Sequence, residues 1–96
     1  MPAYFVIDLD VHDGAGFEEY VRRVSGVIET YGGRYVVYRQ PVEVLEGDWK
    51  PKRLTVIEFP NKARAQEFYG SAEFREIVPL RLKSAKTNLV LVEGVQ

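Results

Sequence analysis

Asp8 and Glu58 are the side chains whose placement most invites acid–base chemistry. Tyr4, Val6 and Asp8 fall on one side of the alternating run Ala3 to Val11, against Phe5, Ile7 and Leu9. Leu54, Val56 and Glu58 fall on one side of Arg53 to Phe59, against Thr55, Ile57 and Phe59. If these runs are neighbouring strands, both carboxylates line the covered face near each other. Desolvated together, one would hold its proton above the normal range, as a general acid or base requires. The default reading is plainer: strand-end carboxylates in water, or ion-paired with Arg34, Arg39 or Arg53. Arg53 and Arg81 carry the planar fork that grips an anionic group, or are ordinary surface pairs. Trp49 is a pocket wall or lid, or else covers a core edge or subunit seam, which is the preferred reading. His12 is a proton carrier or, more ordinarily, a solvent-exposed turn residue. Tyr20 lies on an apolar helical face, where core packing is its default.

The elements that position these residues follow from periodicity. Asp13, with Gly14 and Gly16, marks a turn and an N-cap. Beyond it Phe17, Tyr20, Val21, Val24, Val27, Ile28 and Tyr31 recur at three-and-four spacing, with Glu18, Glu19, Arg22, Arg23 and Glu29 opposite. Gly32-Gly33 ends this helix. Arg34 to Arg39 reads as a second strand broken by Gln40-Pro41, and Val42 to Leu45 as a short extra strand. The stretch Glu46 to Pro60 joins a polar loop holding the single Trp to the third strand, Arg53 to Phe59. Asn61 caps a second helix through Ala65, Phe68 and Tyr69. Ser71 caps its continuation through Phe74 and Ile77, and Pro79 starts another turn or kinks it. Thr87 to Glu93 is the last strand.

Two strand–helix–strand units with right-handed crossovers interleave into a ferredoxin-like βαββαβ fold. Its four-stranded antiparallel sheet carries the helices on one face. The chain of 96 residues suits a single α+β domain, 1–96. The uncovered face should be polar in a monomer. Instead it offers Tyr4, Val6, Leu54, Val56 and one apolar side of the last strand. An apolar face of that extent points to a homodimer paired sheet to sheet.

Composition excludes several classes of function. Without cysteine there is no disulfide, thiolate catalysis or Cys-ligated metal, and one His gives no multi-histidine site. No metal and no cofactor is expected. The net charge of −1 argues against nucleic-acid binding by phosphate neutralisation. The third strand also lacks the glycines and stacking aromatics of an RNA-recognition module. No apolar run approaches membrane-spanning length, and Asp8 and Asp10 interrupt the N-terminal run. No membrane association is expected, and the cytoplasm is the expected location. No Ser-His-Asp set or glycine-rich phosphate loop is visible.

Several motifs converge on one family. They are Gly32-Gly33-Arg34, Glu43 to Gly47 with Trp49, Pro51 and Arg53, Ile57-Glu58-Phe59-Pro60, Ser71 to Phe74, Arg81, and Val92-Glu93-Gly94. In this order the chain resembles the domain-of-unknown-function family numbered thirteen-thirty, placed among the dimeric α+β barrels. Ala72 stands where that family usually has Pro, Phe74 where it usually has Tyr, and Phe17 where it often has Tyr. The resemblance implies a subunit that pairs through its sheet; it implies no particular reaction. It also marks Arg34, Glu46, Asp48, Arg53, Glu58 and Arg81 as the polar residues around a pocket, with Trp49 and Tyr20 as walls. The resulting expectation is a dimer binding a small organic molecule, anionic in the sharper version, in a cleft between sheet and helices. Proton transfer would fall to Glu58 or Asp8, with Arg53 or Arg81 holding the anion. The alternative is a non-enzymatic metabolite-sensing or protein-interaction dimer.

Overall fold

The computed structural model describes residues 1–95. Strand β1 covers Ala3–Val11, α1 Gly14–Thr30, β2 Arg34–Pro41, β3 Arg53–Phe59, α2 Lys62–Gly70, α3 Ala72–Ser84 and β4 Ala85–Glu93. The strands form one antiparallel sheet in the order β2-β3-β1-β4. The helices lie on one side of it. This is the ferredoxin-like arrangement expected from the sequence, with the second helix divided at Gly70-Ser71.

Side-chain caps start each helix where its sequence places them. Asp13 accepts from Gly16 N, Asn61 from Arg64 N and Ser71 from Phe74 N. Gly32, at φ 83°, ends α1. Its N–H bonds Glu29 O and the next N–H, of Gly33, bonds Ile28 O, so two otherwise orphaned carbonyls are satisfied. Phe5, Ile7, Leu9, Ile57 and Phe59 from the sheet meet Phe17, Val24, Ile28, Phe68 and Phe74 from the helices in one buried core.

Pro79 lies inside helix α3. Three details differ from expectation. Val42–Leu45 forms no strand. Strand β2 continues through Gln40-Pro41, tolerable because β2 is an edge strand and Pro41 is its last residue. Strand β4 begins at Ala85 rather than Thr87, because Lys86 and Ala85 pair with Asp10 and Val11.

On the open face the register sets side chains in rows across all four strands. The central row is Val37, Val56, Val6 and Val90. On one side of it stand Arg34, Glu58, Tyr4 and Val92; on the other, Gln40, Leu54, Asp8 and Asn88. Val90 and Val92 are 59% and 49% exposed, so the apolar character of this face extends uncovered to the β4 edge. Strand β2 slips register against β3 twice, between Tyr35 and Val37 and between Val37 and Gln40. Residues of β2 therefore do not alternate regularly between the faces.

Candidate functional site

Helix α1 packs chiefly against α3. The space beneath it, between helices and sheet, holds a cavity of ≈ 30 Å³. That is room for about two water molecules. Its walls are largely apolar and aromatic: Phe17, Tyr20 and Val24 of α1, Ile7 and Leu9 of β1, Tyr35 and Tyr38 of β2, Ile57 of β3 and Phe74 of α3. An open groove of ≈ 430 Å³ beside Tyr69 and Leu91 shares Phe5 and Leu89 with it.

Into this apolar setting project two arginines. Arg81, on the last turn of α3, is 6% exposed. Its Nη1 donates to the Tyr20 hydroxyl at 3.2 Å, and its guanidinium lies 5.6 and 5.8 Å from the ring centres of Tyr20 and Phe74. The helix C-terminus favours a cation there. Yet Arg81 Nε is buried with no hydrogen-bond partner, and so is Arg39 Nε. The ion pairs among the described residues are Arg22–Glu19, Arg34–Glu58, Lys52–Asp10 and Arg64–Glu67; neither Arg39 nor Arg81 takes part. A buried cation without a counter-ion is costly, because desolvation is not repaid by Coulomb attraction. Burial pushes the Tyr20 phenol above its ordinary value, against the opposing pull of Arg81. Tyr20 therefore keeps its proton. Since its oxygen accepts from Arg81, its own O–H is free to donate.

Arg39 was weighed in the sequence only as an ion-pair partner for a carboxylate. The structure gives it a different setting. It has φ 47°, in the left-handed region that costs a non-glycine residue about 1–3 kcal/mol. Strand β3 holds it there: Arg39 N–H donates to Thr55 Oγ1 at 3.2 Å, and Arg53 Nη1 donates to Arg39 O at 2.9 Å. The distortion lets Tyr38 and Arg39, consecutive in sequence, both line the cavity, which a regular strand forbids. The Arg39 guanidinium covers the Phe17 ring at 4.9 Å. The signal available in the sequence was Gln40-Pro41, which disturbs the strand next to Arg39.

The carboxylates lie elsewhere. Glu58 and Asp8 share one side of the sheet, as the alternation implied, but in this subunit it is the open face and they are not near each other. Tyr4 faces Glu58 and Leu54 faces Asp8, so the two carboxylates stand four positions apart along β1. That separation is about 13 Å at the rise of a strand, with the valine row between them. Glu58 accepts from Arg34 Nε at 2.9 Å and from the Tyr4 hydroxyl at 3.0 Å. These bonds, that from Arg34 first, hold its carboxyl below the usual range rather than above it. The same bond to Glu58 pushes the Tyr4 phenol up. Asp8 accepts from Trp49 Nε1 at 3.2 Å. With Lys52 on Asp10, this ties the β2–β3 loop to the end of β1. Trp49 is 60% exposed at that end of the open face and does not line the cavity. Glu46 and Asp48 are exposed on the same loop, without an ion pair or side-chain hydrogen bond among the described residues. Arg53 is exposed and bonded to the backbone of Arg39, so Arg53 and Arg81 do not form a joint clamp. Of the residues singled out in the sequence, the cavity gathers Tyr20 and Arg81; Arg34, Glu58 and Tyr4 meet outside it, as do Asp8 and Trp49.

A family model described as a domain of unknown function, DUF1330, matches residues 2–95. The chain belongs to that family. Solved structures share this DUF1330 chain's fold. A protein of unknown function from Rhodopseudomonas palustris is 20% identical, with a TM-score of 0.77 over 99% of this chain and 83% of that one. SnoaB, a cofactor-independent oxygenase from Streptomyces nogalater, is 15% identical, with a TM-score of 0.71 over 99% and 94% of the two chains. A dimeric ferredoxin-like protein of unknown function from Jannaschia sp. CCS1 is 12% identical, with a TM-score of 0.70 over 98% and 100%. At these identities the likeness is one of fold. No curated protein matches the chain. Among the described residues, no cluster of three or more His, Cys, Asp or Glu is placed to hold a metal ion, and no helix is long and apolar enough to cross a membrane.

Proposed function

We propose that this DUF1330 chain is a one-domain subunit of a homodimer, and that it binds a small organic molecule carrying an anionic group in the cleft between helices and sheet. Arg81 carries the reading. It is a buried guanidinium whose one hydrogen-bond partner among the described residues is the Tyr20 hydroxyl, with an idle Nε and no ion pair among those residues. A ligand carboxylate accepting from Arg81 and from the Tyr20 O–H would supply the missing counter-charge. The apolar walls would hold the rest of the molecule. The cavity is small, so this reading requires it to open on binding; Tyr38, a lining residue 42% exposed at the β2 edge, is the wall least held by the core.

The open face is the proposed dimer seam. Its valine row is apolar, and the likeness to a dimeric protein from Jannaschia supports the pairing. In such a dimer Asp8 and Glu58 belong to the seam, with Arg34, Trp49, Glu46 and Asp48 in the row or loop beside it. Among the described residues no carboxylate lines the cleft, which favours a second reading of binding without chemistry, as in a metabolite sensor. The name of SnoaB suggests that cofactor-free chemistry is compatible with this fold, but fold likeness alone assigns no reaction.

The test is an NMR titration of the protein with a set of small carboxylic acids and their neutral amides. Acids are expected to shift the Arg81 Nε–H and Tyr20 ring signals, and the amides much less. If no acid perturbs these signals, or amides act equally well, the anion-binding reading falls.

A further inference from the structure

The cleft holds a second cation, and its placement narrows the ligand. Arg39 lies over Phe17 and Arg81 over Tyr20, and these two rings are neighbours, 5.7 Å between centres. Each ring of the pair thus carries one guanidinium, one brought by the sheet edge and one by α3. Each has a buried Nε–H with nothing to donate to. Both line the same space, whose remaining walls are mainly aromatic and aliphatic.

Arg81 is a buried cation and Arg39 a half-buried one, and their two idle Nε–H groups, facing one space, favour two negatively charged partners. The aromatic lining they share favours a planar apolar body. We infer that the cleft selects a planar aromatic diacid, with one carboxylate on Arg81 and Tyr20 and the other on Arg39. This rests on the proposed anion-binding role of the cleft and adds Arg39 as its specificity-determining residue. Arg53 and Thr55 are positioning residues: they hold the left-handed backbone that turns Arg39 to the cavity rather than to solvent. The arrangement gives a reason for the strain at Arg39. A relaxed strand would place only one of Tyr38 and Arg39 on this face.

The experiment compares benzoate, isophthalate, terephthalate and benzamide as NMR or calorimetric titrants of the full chain. At least one diacid is expected to bind about tenfold more tightly than benzoate, the effect of one added charge-assisted hydrogen bond. Arg39→Gln should abolish that advantage, weakening the diacid far more than benzoate. Arg53→Gln should reduce the advantage in the same direction, again with the larger loss on the diacid, a selectivity that a merely structural role would not show. If benzoate binds as well as both diacids, or if Arg39→Gln weakens benzoate and diacid equally, the diacid assignment is overturned and single-anion binding at Arg81 survives. If no acid binds, both fall.

Discussion

Tyr4 stands directly opposite Glu58 in the β1–β3 register, and its hydroxyl donates to Glu58 Oε2 at 3.0 Å while Arg34 donates to Oε1 at 2.9 Å. A carboxylate with two donors is an ionised, satisfied group, not a poised acid. Its folded-state pKa lies below its ordinary 4.5. The stabilisation is therefore present above that value and is lost as pH falls through the lowered one. Urea unfolding of the wild type and Glu58→Gln should show a gap at pH 7 that closes below about pH 4. A gap independent of pH would mean that Glu58 acts through packing alone.

Arg81→Met removes a buried, unpaired charge and keeps most of the side-chain volume. The variant is expected to be neutral to about 2 kcal/mol more stable than wild type, because apolar replacement of buried charges often stabilises. It should lose carboxylate binding. Destabilisation by several kcal/mol in denaturant melts would make Arg81 a structural residue instead.

Arg39 occupies a left-handed backbone, which glycine adopts freely and a β-branched residue does not. Arg39→Val should be less stable than Arg39→Gly by about 1–2 kcal/mol, the reverse of the usual order in a strand. Equal stabilities would show that β2 relaxes once the arginine is gone.

A methyl group on Gly33 would sit 2.7 Å from Phe59 Cε1 and 2.8 Å from Ile28 Cγ2. Phe59 is fully buried, so the ring cannot give way cheaply. Gly33→Ala is expected to cost about 1–3 kcal/mol as overpacking, measured by thermal or denaturant unfolding.

The seam is tested by solution mass. Light scattering should report twice the 11.0 kDa chain, and Val6→Lys in the valine row should return it to one chain without unfolding it. Trp49, at the end of the same face, should shift its fluorescence on dilution. A wild-type monomer would remove the sheet-to-sheet model.

Much of the fold was legible locally. Asp13, Asn61 and Ser71 cap their helices because a side-chain oxygen needs only the N–H three residues on. Gly32 ends α1 because only the backbone at that point decides whether a left-handed turn is free of strain. The strand alternation put Asp8 and Glu58 on one side of the sheet with Tyr4, Val6, Leu54 and Val56, since that period belongs to the chain itself.

What local pattern does not carry is register between distant strands and the two slips in β2. Those depend on hydrogen bonds between β2 and β3, including Thr55 Oγ1 and Arg53 reaching the Arg39 backbone. They moved Arg39 into the cleft, where alternation gave no reason to look. Long-range packing joined Tyr20 to Arg81 across 61 residues and set Asp8 and Glu58 in different rows. The amino-acid order by itself determined the elements, their caps and the face each strand residue takes. The tertiary structure alone decided which charged groups share one enclosure, because burial and partnering are properties of the assembled core.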